Sequence, residues 1–176
     1  MRNTKVLTAS AICVALALVL SMIDLFTMPQ GGSVSPCSMF FIALAGFWFG
    51  PAVGIASGVA LGLLKLLFGA YVVHPAQLIL EYPLAFGLLG CSGFFRNMKF
   101  GLQTGYTVGV LLRFLMHLIA GVIFFAEYAP PGQPVWVYSS VYNFSYIWPE
   151  ALFTLIVVSI PAFGDAIKRV GKNLRA

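Results

Sequence analysis

Apolar residues come in long runs along this chain, and short clusters of glycine, proline and polar residues interrupt them. A hydrocarbon core about 30 Å thick takes roughly 20 apolar residues per helical span. On that yardstick the pattern predicts spans over about 5–26, 39–49, 51–70, 75–91, 102–126 and 140–167. The second is short, which suits a tilted or partly interfacial segment, and a brief Gly50-Pro51 break parts it from the third. No alternating barrel pattern is present, and in lipid an α-helix satisfies its own backbone groups segment by segment. The expected fold is an all-α integral membrane protein with six transmembrane helices. Residues 1–176 read as a single membrane domain.

The interruptions refine this picture. Residues 28–38, MPQGGSVSPCS, form an uncharged loop of turn formers. Its two glycines either make a tight turn or let backbone approach a ligand. Pro75 suits the first turn of the fourth span. Pro83 cannot donate to the carbonyl of Ile79, which predicts a kink beside Glu81. Pro149 and Pro161 mark bends in the last span. Ala11 and Ala15, one turn apart, make a small-xxx-small face that lets another helix approach closely. That helix belongs either to this chain or to a partner subunit. The first apolar run is too long for a signal-peptide core and has no persuasive cleavage site, so it reads as a span.

Composition agrees: 60% of residues are hydrophobic, 9% are charged, and the mean hydropathy is +0.96. The net charge of +5 is no nucleic-acid footprint. Eight of the ten basic residues (Arg2, Lys5, Arg96, Lys99, Lys168, Arg169, Lys172 and Arg175) sit at the ends or in one loop. The positive-inside rule then puts both the N and C termini in the cytoplasm, and the three outer loops carry no Lys or Arg. Cys13, Cys37 and Cys91 form neither metal nor disulfide spacing.

Against this apolar background a few groups stand out. Arg113, His117 and Gly121 recur every four residues and share one face of the fifth span. Glu81 lies beside the Pro83 kink and Asn143 sits in the sixth span. An ionisable residue inside a span is a functional-site candidate by default, and for Glu81 the alternative is a structural ion pair. Lys65 either snorkels to a surface or pairs inside, and Asp24 is an interfacial carboxylate or a ligand group. Tyr71, Tyr82, Phe125, Tyr138 and Tyr142 supply flat faces, although Tyr71, Tyr128 and Tyr146 equally suit an interfacial belt. Such a set fits an aromatic ligand with hydrogen-bond donors and a positive charge. Stacking adds about 0.5–1.5 kcal/mol per pair, and a desolvated cation–π contact about 2 kcal/mol.

The motifs exclude ATP binding by a phosphate loop and weaken zinc-protease and esterase readings. There is no G-x-x-x-x-G-K-[ST], the nearest run being GVALGLLK at 58–65, and neither H-E-x-x-H nor G-x-S-x-G occurs. His74 and His117 are far apart and lack companion ligands, so no metal and no cofactor are expected.

Three stretches carry a family resemblance: MPQGGSVS, HPAQLILEYPLAF and, above all, LLRFLMHLIAGVIFFAEYAPPGQPVWVYSSVYNFSYIWPE. They resemble the thiamin-specific substrate-binding (S) component of energy-coupling-factor (ECF) vitamin transporters, over nearly the whole chain. The resemblance implies a multi-pass protein of a bacterial cell membrane that binds thiamin with high affinity near the outer face. It also implies docking onto a shared module of two ATPases and a transmembrane scaffold protein. Carried over motif by motif, the ligand residues fall on Tyr71, Glu81, Tyr82, His117, Gly121, Tyr138 and Asn143. Phe125 stands where some members stack the ligand on tryptophan, and no first-loop tryptophan is evident, so Trp136 is an alternative stacking partner. The Ala11-xxx-Ala15 face resembles the docking surface for the scaffold.

The chemistry of thiamin suits these residues. Glu81 is expected to pair with its polar edge or its charge, and His117 and Phe125 to stack on a ring. Tyr138 and Asn143 are expected to hydrogen-bond the remaining polar groups. Arg113 is expected to support the site by neutralising Glu81. Three other readings compete. One is an S component for riboflavin or a hydroxymethylpyrimidine. Another is an intramembrane enzyme with Glu81 and His117 as acid and base, and the last is a purely structural membrane subunit. The reading adopted is a binding protein and not an enzyme.

Overall fold

A computed structural model of the chain describes residues 2–175. Helix α1 (Arg2–Leu20) leads into a two-residue hairpin, β1 (Phe26–Thr27) antiparallel to β2 (Ser33–Val34). Helices α2 (Ser38–Phe49) and α3 (Pro51–Leu67) follow. The next helix, α4 (Pro75–Phe95), is continuous but changes winding along its length. Then come α5 (Gly101–Phe124), a 3₁₀ turn at Ala126–Tyr128, α6 (Val135–Ser159) and α7 (Pro161–Arg175). Among the described residues, three helices, α4, α5 and α6, are long and apolar enough to cross a membrane. The apolar parts of α1, α2 and α3 are shorter.

The core is built around α2. This helix is apolar on every side, so it packs best when wrapped by others. Met39, Phe40, Ile42, Ala43, Leu44, Ala45, Phe47 and Trp48 are all buried. Its 12 residues rise only about 18 Å, short of a hydrocarbon core, because a wrapped helix need not match lipid on its own. Gly50, at φ 99°, turns the chain directly into α3 with Pro51 at the first helical position.

A glycine ladder, Gly54-xxx-Gly58-xxx-Gly62, brings α3 against α4. A Cβ at Gly58 would lie 2.6 Å from the carbonyl carbon of Phe86, and one at Gly62 2.6 Å from that of Tyr82. Only hydrogen fits between backbones this close. The Pro83 effect takes the form of a π turn over Leu80–Leu84, in which the Ala85 N–H donates to the carbonyl of Leu80 five residues back. The widened turn accommodates the missing proline N–H. Glu81 and Tyr82 lie in this turn.

Two predicted boundaries are corrected. The first helix ends at Leu20 and not near residue 26, because the Leu25 N–H donates to the Val34 carbonyl at 2.9 Å and draws the chain into the hairpin. The last span breaks at Ile160, whose extended backbone (φ −65°, ψ 119°) suits a residue before proline. The charged helix α7 then turns away and lays Ile167 and Gly171 against Trp48. Trp48 donates its indole N–H to the Ile167 carbonyl at 3.0 Å, and Arg175 donates to the Trp48 carbonyl at 3.0 Å.

Candidate functional site

A cavity of about 470 Å³ opens between α3, α4, α5 and α6 at the hairpin end of the bundle, away from Arg96 and α7. That volume lies within the roughly 300–1,000 Å³ usual for small-molecule sites. Its polar wall starts in α4. Gln77, fully buried, donates to the carbonyl of Tyr71 at 3.1 Å and to a carboxylate oxygen of Glu81. Its own carbonyl accepts from the Val73 N–H at 3.2 Å, so one side chain ties the α3–α4 turn to the π turn. The other Glu81 oxygen faces His117 Nδ1 at 3.6 Å. His117 Nε2 accepts from Arg113 Nε at 3.4 Å, so the proton of a neutral imidazole sits on Nδ1, toward the carboxylate.

Arg113 therefore does not pair with Glu81 as the sequence suggested. It acts through His117 and lies over the Phe86 ring at 4.4 Å. Lys65 approaches the same ring at 5.8 Å and donates to the Ser21 hydroxyl at 3.0 Å. The cavity thus holds a carboxylate, an imidazole and two basic side chains that approach one aromatic face.

Helix α6 supplies the opposite wall. Tyr138, Tyr142, Tyr146 and Glu150 recur every four residues and so form one stripe. Tyr138 and Tyr142 rings are 6.2 Å apart, and Tyr142 and Tyr146 rings 5.8 Å. Asn143, buried, donates to the Ser139 carbonyl at 2.9 Å and accepts from the Tyr146 hydroxyl at 2.8 Å. A Cβ at Gly121 would stand 2.9 Å from that of Ser139, so glycine is what lets α5 reach α6 here. The mouth is roofed by Tyr71 stacked on Phe125, with centroids 6.2 Å apart and planes at 28°, and by a 2.9 Å hydrogen bond between the Tyr71 and Tyr128 hydroxyls.

Below this cavity lies a smaller polar chamber of about 240 Å³ that shares Lys65, Phe86 and Arg113 with it. Glu150 lines the chamber. It is 4% exposed and accepts from the hydroxyls of Ser35 and Ser38, both at 2.9 Å, and from the Met39 N–H at 3.0 Å. Among the described residues no group of three His, Cys, Asp or Glu side chains could hold a metal ion.

The family described as Thiamine transporter protein matches residues 7–167. The chain belongs to that family. Among its relatives is a Thiamine transporter ThiT from Bacillus subtilis strain 168, 35% identical over 166 residues, covering 85% of this chain and 86% of that protein. Another, from Lacticaseibacillus paracasei, is 34% identical over 121 residues, covering 59% of this chain and 60% of the relative. A solved structure of ThiT from Listeria monocytogenes superposes with a TM-score of 0.80 at 28% identity, over 99% of both chains. Membership in this family, with the long apolar helices, makes this chain a multi-pass membrane protein.

The cavity gathers the seven positions carried over from the family motifs, Tyr71, Glu81, Tyr82, His117, Gly121, Tyr138 and Asn143, together with Phe125. Arg113 also lines it. Trp136, the alternative stacking partner, is 63% exposed and lies outside it. Ala11 and Ala15 are exposed and line a separate groove between α1 and α3. Sequence reasoning passed over Phe86, Ser139 and Glu150. Glu150 was findable, because a carboxylate within an apolar helix is a signal in itself. Phe86 looks like any other apolar residue of a span, and only the fold brings the two basic side chains to it.

Proposed function

We propose that this chain is the thiamin-binding S component of an ECF-type uptake system, with residues 1–176 forming one membrane domain. Its six apolar helices, α1 to α6, are six membrane-crossing segments with both termini cytoplasmic, an arrangement supported by the basic residues gathered at one end. The observation that carries the reading is the cavity, in which a carboxylate, an imidazole, an amide and several aromatic rings face one another at the opposite end. Thiamin presents a complementary set: an aminopyrimidine with donors and acceptors, a cationic thiazolium and a hydroxyethyl tail. Glu81 answers the positive charge or the amino edge, His117 and Phe125 offer ring faces, and Tyr138 and Asn143 take the remaining polar groups.

Ligand captured at the outer face must be released inside, and this chain carries no phosphate-binding loop of the G-x-x-x-x-G-K-[ST] type. Two partner ATPases and a transmembrane scaffold therefore drive the cycle, with the scaffold docking on the face that bears Ala11 and Ala15. Uptake of labelled thiamin into proteoliposomes tests this directly. The chain reconstituted alone should give only stoichiometric retention, and the chain with the ATPase and scaffold module should accumulate thiamin on ATP addition. ATP-dependent accumulation of riboflavin in place of thiamin would move the chain to another vitamin.

A further inference from the structure

Glu150 is a buried carboxylate with no Lys or Arg in ion-pairing contact among the described residues. Its direct partners are instead three donors that all come from one short segment, Ser35 to Met39. That segment connects β2 to α2, and its Cys37 has φ 56° and offers α2 no side-chain cap. Glu150, from a helix more than a hundred residues away in sequence, supplies the missing cap: the Met39 N–H is one of the free donors of the first turn. A carboxylate there is favoured by the helix dipole, and this compensates for its burial.

The other end of the same segment is the hairpin. Its turn rests on the stripe that Glu150 continues. A Cβ at Gly31 would lie 3.3 Å from the Tyr142 hydroxyl, and one at Gly32 2.6 Å from the Tyr146 ring. Gln30, beside these glycines, lines the ligand cavity. The hairpin itself has one buried apolar side chain, Val34. Its ladder is two residues per strand, and Phe26 and Thr27 are exposed. Helix α6 thus supports the hairpin at two levels, through tyrosine rings under the turn and through Glu150 under the segment that follows the exit strand.

We propose that Glu150 is a positioning residue for ligand retention. By fastening the exit of the hairpin to α6, it keeps Gln30, Gly31 and Gly32 seated over the cavity and slows escape of the bound molecule. The role in retention rests on the thiamin-binding reading; the fastening itself does not. Two readouts separate them.

Hydrogen exchange of the ligand-free protein reports on the amides of Leu25, Met28 and Gly31, which are hydrogen-bonded within the hairpin. In Glu150→Ala these should exchange at least tenfold faster, while α5 amides stay within threefold of the unmodified protein. Thiamin dissociation should speed up at least tenfold, with association changed less than threefold, whereas a general packing defect would lower the folded fraction and slow association. Glu150→Gln, which keeps one acceptor oxygen, should fall between. If Glu150→Ala does not fold, Ser35→Ala, which leaves the carboxylate two donors, should still speed hairpin exchange severalfold. Unchanged hairpin exchange in the folded variants would overturn the fastening, and unchanged dissociation would overturn the role in retention. Failure of the unmodified chain to bind thiamin would overturn the transport reading, with hairpin exchange still deciding what Glu150 holds.

Discussion

Replacing Glu81 by glutamine removes one charge and almost no volume, which makes it the cleanest probe of the site. The Glu81 side chain is only 16% exposed, with one oxygen taken by Gln77 and the other facing His117 at 3.6 Å. A cation about 4 Å away interacts with such a carboxylate by about 1 kcal/mol in water and about 4 kcal/mol near a protein surface. Net values for hydrogen bonds to charged groups run at about 1.5–3 kcal/mol. The loss expected for thiamin is therefore about 1.5–3 kcal/mol, or about 10- to 150-fold in Kd. Calorimetry with detergent-purified protein measures it, and an analogue whose thiazolium is replaced by a neutral ring isolates the charge. That analogue should lose only a few-fold on the same substitution. An affinity for thiamin within threefold of the unmodified protein would refute the placement of Glu81 against the ligand.

Other substitutions probe the rest of the arrangement. Gly121→Ala puts a methyl 2.9 Å from the Ser139 Cβ, so overpacking of about 1–3 kcal/mol should lower the Tm and weaken thiamin binding together, read by thermal unfolding and calorimetry. Ala15→Leu fills the α1–α3 groove and should abolish ATP-dependent uptake in proteoliposomes while leaving the Kd within threefold; loss of both would place that face in internal packing. Gly58→Val forces a side chain into the contact with the Phe86 and Gly87 backbone and should sharply reduce the yield of folded protein, measured by size-exclusion chromatography.

Much of the site was legible because polar groups are rare in these helices. Glu81, His117 and Asn143 stand in apolar runs where burying them without a ligand or partner is costly, and the four-residue spacing of Arg113, His117 and Gly121 already fixed a shared face. The Pro83 kink was legible in place but not in form, since proline chemistry demands a local change in winding without choosing a π turn. Helix ends were harder. Nothing in residues 20–26 breaks the apolar run strongly, and it is the backbone pairing of Leu25 with Val34 that ends α1 where it ends. Glu150 and the Ser35–Met39 segment lie more than a hundred residues apart, so no local pattern joins them. The partner of Arg113 was misread for a related reason: sequence gives the helical face but not which of Glu81 and His117 comes within reach.

The central claim is that this cavity binds thiamin, and titration of the purified, folded chain with thiamin, with riboflavin as the control, tests it most directly. Saturable heat with thiamin alone, at one site per chain and weakened by Asn143→Ala, is the predicted result. Absence of heat with thiamin from folded protein, or equal binding of riboflavin, would contradict it.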